Sequence, residues 1–394
     1  MKDKIKQFVK GLDDHFYAQM RGEGRYTDHL AAFAGEMKKS LEDFEPNPEF
    51  VNARTTFFAR RMGQTPGVHF DPASAAAELP LIAEYARQSW YLEKAAGAFG
   101  LELYGPNSCL VKDILAGDAN ANLPVLFAAY IDSAVMEGLI ANSLVPILCY
   151  STQNISNFDY QGVELKDEDR PSIVPDGSPL PEVTITISEH TIRTTKFGKL
   201  IAATYDALAY QRVDVLRPKI ARCVARIGID ETNLALTSLY SGDRPSDANV
   251  TAATVITTAV SGTVEFADFV SLGVAFNDGY NADVGVMGAA MIADTMGITE
   301  FKTPQSATIQ VIAGIPNPLK VRWLKWTDSQ SPIAADRCLQ LDTRRALLKA
   351  QSAGLLQEED KVIRSQFREF AISERVGFPV MDQAATKALD VTHA

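Results

Sequence analysis

The stretch SEHTIRTTKFGKLIAATYDALAYQRVDVLRPKIARCVARIGIDETNLALTSL, Ser188 to Leu239, changes its hydrophobic period partway along. At its start, and in the residues just before it, apolar side chains alternate. Val183, Ile185 and Ile187 fall on one face of an extended strand. From Asp214 to Tyr240 the period becomes helical. Leu216, Ile220, Cys223, Ile227 and Leu234 make one apolar stripe, with Arg217, Arg222, Arg226 and Glu231 turned elsewhere. Pro218 falls near the first turn, where a helix tolerates it. A strand that feeds a long amphipathic helix is the frame from which the rest is read.

Upstream, Asp, Pro, Gly and Ser crowd positions 157 to 182. A polar excursion this long inside a compact domain is usually functional. A two-stranded arm built from it would leave open edges, and edges need partners. In a self-assembling protein the partner is the next subunit. The most apolar stretch, Leu123 to Tyr150, is interrupted by Asp132, Glu137, Asn142 and Pro146, which marks a buried or interface helix rather than a membrane span. The first 120 residues read as helical: Lys4 to Met20, Thr27 to Phe44 (ended by Pro46 and Pro48) and Ala73 to Phe99. Downstream, helices at Ala267 to Asn277 and Ala289 to Met296 alternate with strands at Asp283 to Met287, Ile309 to Ile312 and Leu319 to Trp326, a small α/β layer domain. After Glu359 comes an amphipathic strand or helix, IRSQFREFAISERVGFPV, and a short helix at about Gln383 to Leu389 closes the chain.

The 394 residues are 46% hydrophobic, enough for one large domain or two to three smaller ones. Cys109, Cys149, Cys223 and Cys338 form no C-x-x-C pair, which fits a reducing compartment rather than a zinc site or disulfide framework. The opening MKDKIKQFVK lacks an apolar run, so no secretory signal is expected. The net charge of −11 is concentrated in two windows. Residues 159 to 182 hold seven acids (Asp159, Glu164, Asp167, Glu168, Asp169, Asp176, Glu182) against Lys166 and Arg170, a balance of −5. Residues 265 to 300 hold six acids and no base, a balance of −6. The clustered Lys and Arg of a protein that grips DNA by counterion release are missing. A protein that encloses DNA without adhering to it can be acidic.

The order of elements resembles the Hong Kong 97 fold of tailed-phage major capsid proteins. The quoted stretch is similar to the family's return strand of the extended loop, its "K-[FY]-G-x-x-I" turn, its "T-Y-[DE]-A-L" helix start and its spine helix. DVGVMGAAMIADTMGITEF, Asp283 to Phe301, is similar to the apical strand and helix that precede a "G-I-P" segment, here Gly314-Ile315-Pro316. ISERVGFPVMDQAATKAL, Ile372 to Leu389, is similar to the closing strand, "D-x-x-A" turn and short helix. The resemblance covers about residues 123 to 392. It implies an α+β fold with a peripheral domain of spine helix plus long strands, an axial α/β domain, an extended β-hairpin loop and a helical N-terminal arm.

The corresponding segments are a helical N-terminal arm at 1–122, a lead-in helix at 123–150 and the extended loop at 151–198. The peripheral domain with its spine helix follows at 199–249, then the axial domain at 250–340 and the return to the peripheral and axial core with a C-terminal helix at 341–394. The resemblance further implies a structural protein whose partner is itself, in the hexamers and pentamers of an icosahedral shell enclosing double-stranded DNA. Portal, scaffold or decoration proteins are further partners, DNA is contacted without sequence specificity, and no membrane is involved. The expected setting is the virion, assembled in the host cytoplasm. Loop residues Asp159, Glu164, Lys166, Asp167, Glu168, Asp169, Arg170 and Asp176 are candidate assembly contacts. The N-terminal 122 residues match no family pattern, and their proteolytic removal is not expected for a chain starting at Met1. Lys166, the one lysine between 151 and 195, is assigned no cross-link. An encapsulin-like compartment shell shares this fold and is the first alternative. A two-domain α/β enzyme is the second.

No cofactor, metal or catalytic residue is expected. His15, His29, His69, His190 and His393 show no metal-ligand spacing, and G-x-S-x-G, H-E-x-x-H, Walker A and G-x-G-x-x-G are absent. Gly285 and Gly288 lie between a strand and a helix, where tight packing explains them better than phosphate binding. NDGYNAD, with Asp278, Asn281 and Asp283, lacks the order and distal Glu of a calcium loop and reads as a turn. Lys320, Arg322, Trp323, Lys325 and Trp326 interleave bases and aromatics as single-strand binders do. On a strand, however, the two tryptophans point to opposite faces, which places at least one in the core.

Overall fold

A computed structural model describes Ser89, residues 92–93, 96–97, 100–105, 107–111 and 114, and then 123–166, 184–243, 252–276, 279–298, 321–333, 336–362 and 366–391. The expected helices at Lys4 to Met20 and Thr27 to Phe44, most of Ala73 to Phe99, and the strand at Ile309 to Ile312 lie outside the described residues. The described chain mixes helix and sheet in two compact units, each assembled from separated segments.

The first unit takes residues up to Pro146, Lys196–Thr232 and Gly354–Glu374. Helix α1 (Leu123–Asn142) is mostly apolar, and Phe127, Tyr130, Ile131, Ala134 and Val135 are buried. A break at Ser143 separates it from the single turn α2 (Val145–Leu148), which carries Pro146 at its second position, where a missing N–H costs nothing. The long helix α4 (Val213–Ser241) follows the short α3 (Tyr205–Tyr210), whose first turn is capped by Thr204 accepting from the Ala207 N–H at 3.1 Å. Helices α1 and α4 approach at glycines. A Cβ on Gly138 would stand 2.4 Å from the Ala221 carbonyl oxygen, and one on Gly228 would stand 3.3 Å from that of Leu139. Val213, Ile220, Val224 and Ile227 of α4 join Phe127, Tyr130, Phe370 and Ile372 in one apolar core.

The second unit holds a five-stranded sheet in the order β5-β11-β8-β6-β7, formed by β5 (Thr254–Thr257), β6 (Val284–Met287), β7 (Arg322–Lys325), β8 (Arg337–Leu341) and β11 (Thr386–Asp390). Strands β5 and β11 are parallel, as are β6 and β7, while β8 runs antiparallel to both neighbours. Helices α5 (Phe266–Val274) and α6 (Ala289–Gly297) supply Phe269, Leu272 and Met291 to a core shared with Met287, Cys338 and Leu389. The Glu265 and Asp268 side chains close a capping box at the start of α5.

Strands β9 (Lys349–Val362) and β10 (Phe367–Gly377) continue along the chain from one unit to the other. With β1 (Thr152–Asn154) and β4 (Thr195–Thr204) they form a sheet in the order β1-β9-β10-β4. The amphipathic segment after Glu359, compatible with either periodicity, is thus a strand. The "K-[FY]-G-x-x-I" residues Lys196 to Ile201 lie within β4 rather than at a turn, and a Cβ on Gly198 would meet Ser373 at 3.1 Å.

The closing helix expected at Gln383 to Leu389 is not formed. A 3-10 turn at Gln383–Ala385, capped by Asp382 accepting from the Ala384 N–H, leads into strand β11. All five β11 residues are buried between β5 and β8. A strand covered on both faces shows no alternation, so its short sequence imitates one face of a helix.

Candidate assembly surface

Strands β2 (Asp159–Lys166) and β3 (Thr184–Arg193) pair antiparallel and form a sheet of two strands. The register runs from Asp159 opposite Arg193 to Lys166 opposite Thr184, with an irregularity between Gln161 and Val163. At the usual rise per residue the eight residues of β2 extend about 26 Å. The base is fastened by Thr194, whose N–H and hydroxyl both donate to the Phe158 carbonyl at 2.9 Å. The Arg375 guanidinium lies 4.3 Å from the centre of the Phe158 ring, which is 58% exposed. Two strands alone in water are marginal, because each keeps an unpaired edge and neither face is covered.

Of the expected loop contacts, Asp159 sits exposed at the base of this ribbon, and Glu164 and Lys166 stand farther along β2, opposite Thr186 and Thr184. Asp167, Glu168, Asp169, Arg170 and Asp176 lie outside the described residues.

In α4, Ile220 and Ile227 are buried, and Leu216, Cys223 and Leu234 are half-buried. The centre of the buried face is Val213, Arg217, Ile220, Val224, Ile227, Glu231 and Ala235. At 100° per residue that centre lies about 60° around the helix from the apolar stripe read in the sequence. The expectation that Arg217 and Glu231 turn away is overturned. Arg217 reaches Glu137 Oε2 at 2.7 Å, donates to Tyr104 OH at 3.2 Å and Ser133 Oγ at 3.1 Å, and lies 5.3 Å from the ring centres of both Tyr104 and Tyr130. Burial raises the Tyr130 phenol well above its ordinary range, against the lowering effect of Arg217, and its hydroxyl donates to the Val213 carbonyl at 2.7 Å.

The opposite face of α4 is exposed and carries Val215, Lys219, Arg222 and Arg226 at helical spacing. Arg226 reaches Asp230 one turn on at 3.1 Å.

Both tryptophans of the basic and aromatic segment are engaged inside the second unit. Trp323 meets Phe269 edge to face at 5.7 Å, and its ring covers Gly285, whose Cβ would stand 2.4 Å away. Trp326 donates to Asn233 Oδ1 at 2.8 Å. Asp283 of the NDGYNAD segment accepts from the Thr343 N–H at 2.9 Å. Asp278 lies outside the described residues. The C-terminal ends of α5 and α6 expose Val274 and Met296. Among the described residues no three His, Cys, Asp or Glu side chains gather as metal ligands would, and no helix is long and apolar enough to cross a membrane.

Solved structures similar to this chain are those of shells and phages. The capsid of the native GTA particle is 17% identical, with 62% of this chain and 89% of that chain covered at a TM-score of 0.46. A structure of Microbacterium phage Oxtober96 is 10% identical, with 64% and 91% covered at a TM-score of 0.47. The holo-SrpI encapsulin complex from Synechococcus elongatus PCC 7942 is 12% identical, with 62% and 85% covered at a TM-score of 0.43. No family model and no curated protein matches the chain.

Proposed function

We propose that this chain is the major capsid protein of a tailed virus, a Hong Kong 97-type shell subunit whose work is geometric rather than catalytic. The ribbon β2–β3 carries the reading. It is a long pair of strands joined to no third strand among the described residues, and two strands alone are marginal in water, so its edges suit the sheet of a neighbour. Helix α4 and the long strands β9 and β10 are the peripheral domain, and the five-stranded sheet with α5 and α6 is the axial domain. Val274 and Met296 on the axial helices are apolar points for the centre of a capsomer. Closed symmetry repeats each weak contact around the shell. Hexamers and pentamers then enclose double-stranded DNA, which the acidic balance of the chain leaves unbound by sequence. Light scattering and negative-stain microscopy of the chain expressed alone test the reading. Rings of five or six, or closed shells, are expected. A homogeneous monomer or dimer at high concentration would contradict it.

A further inference from the structure

The five-stranded sheet of the second unit carries polar side chains where its neighbours are apolar. Gln340 on β8 has no exposed surface, and neither its carboxamide nitrogen nor its oxygen has a hydrogen-bond partner. Its cross-strand neighbours are Gly285 on β6 and Lys387 on β11, and Lys387 in turn stands opposite Thr254 on β5. Directly paired residues point to one face, so Gln340, Lys387 and Thr254 form a polar row across three strands. One pleat further along, Met287, Cys338 and Leu389 belong to the apolar core that includes Phe269 of α5 and Met291 of α6. Lys387 is 7% exposed, and its ammonium donates to Thr254 Oγ1 at 3.1 Å. Among the described residues that ammonium meets no carboxylate. On the other side of Gln340, the Trp323 ring fills the space above Gly285. An unpaired buried carboxamide is costly, and so is a buried cation without a counter-charge.

We propose that this row is a binding site for a small oxyanion that retains a proton, with the chemistry of hydrogen phosphate. An ammonium has donors to spare beyond the one given to Thr254, and the carboxamide adds N–H donors and one acceptor. Lys387 supplies the charge opposite an ionised oxygen, and the Gln340 N–H group donates beside it. The Gln340 carbonyl oxygen needs a donor, which a P–OH group provides and a fully ionised anion does not. Sulfate, similar in size and shape, leaves that oxygen unmet. Thr254 is exposed on the edge strand β5, so the ion enters from that side. Every residue of the row belongs to the second unit, and the proposal stands independently of the shell reading.

Inorganic phosphate is the probe, with sodium sulfate and sodium chloride at matched ionic strength as controls. Titration calorimetry and thermal midpoints of the full chain near neutral pH read the binding. Phosphate is expected to bind saturably and to raise the midpoint along a curve that follows ligand linkage. Sulfate is expected to give only the gradual rise common to salts excluded from protein surfaces. Equal responses to phosphate and sulfate would overturn the proposal, and so would the absence of a binding heat with phosphate. Gln340→Met removes both amide atoms at similar volume. It is expected to keep the parental circular dichroism, to be at least as stable as the parent without phosphate, and to bind phosphate about tenfold more weakly. Lys387→Met, which removes the charge, is expected to abolish the response. Parental affinity in either folded variant would contradict the site. Should a variant fail to fold, the comparison of phosphate with sulfate on the parent chain still decides.

Discussion

Arg217 is the residue where charge and burial conflict most sharply. Its side chain is 7% exposed beside a Glu137 that is 17% exposed, and two tyrosine rings and a serine hydroxyl complete its surroundings. Removing one member of a buried pair leaves the other charge uncompensated, so Arg217→Ala should destabilise the chain by about 3–5 kcal/mol. Arg217→Met combined with Glu137→Gln should lose much less, because no charge is left stranded. Denaturant titration of both variants checks the order, and equal losses would refute it. Tyr130 beside this pair predicts an alkaline limit. Its folded phenol holds the proton above the ordinary value of 10.0, so the unfolded chain ionises first and stability falls as pH rises beyond about 10. Tyr130→Phe should flatten that decline while losing about 1 kcal/mol at neutral pH with its hydrogen bond to Val213. Thermal midpoints from pH 8 to 11 measure both effects, and identical alkaline slopes would exclude Tyr130 as the cause.

Among the elements, the crossing of α1 and α4 is set by small residues. Gly138→Ala puts a methyl group against backbone oxygen at 2.4 Å, which neither helix can yield without moving, and should cost about 1–3 kcal/mol. Gly228→Ala, with its nearest backbone atom at 3.3 Å, should cost less. A thermal shift equal in the two variants would mean that the helices separate freely. Much of this level was legible in the sequence. Helix α4, expected from Asp214 to Tyr240, runs Val213–Ser241, and α6, expected from Ala289 to Met296, runs Ala289–Gly297. Period and capping sufficed there because one face is wet. They failed at β11, which is buried on both faces. They also failed for the exact face of α4, since a buried Arg217 is indistinguishable by type from an exposed Arg222 until its partners on α1 and at Tyr104 are known. The ribbon was legible as an arm from its alternation and open edges. The basic stripe was visible only once the buried face had been located.

For the molecule as a whole, the two compact units carry the described cores, and the ribbon β2–β3 forms a sheet of its own. On the proposed reading, this ribbon is completed by pairing with a neighbouring copy. If charge guides that completion, assembly should weaken as ionic strength rises and the screening length falls below about 8 Å. A shell held by apolar contacts alone would instead tolerate salt. Replacing residues 159–193 with two glycines isolates the arm, because Phe158 and Thr194 already lie within hydrogen-bonding distance. Sedimentation of this variant beside the full chain is the most direct measurement. The full chain is predicted to sediment as capsomers or shells, and the variant as a folded monomer with an unchanged thermal transition. A variant that assembles as well as the full chain, or a full chain that stays monomeric at every concentration, would contradict the account.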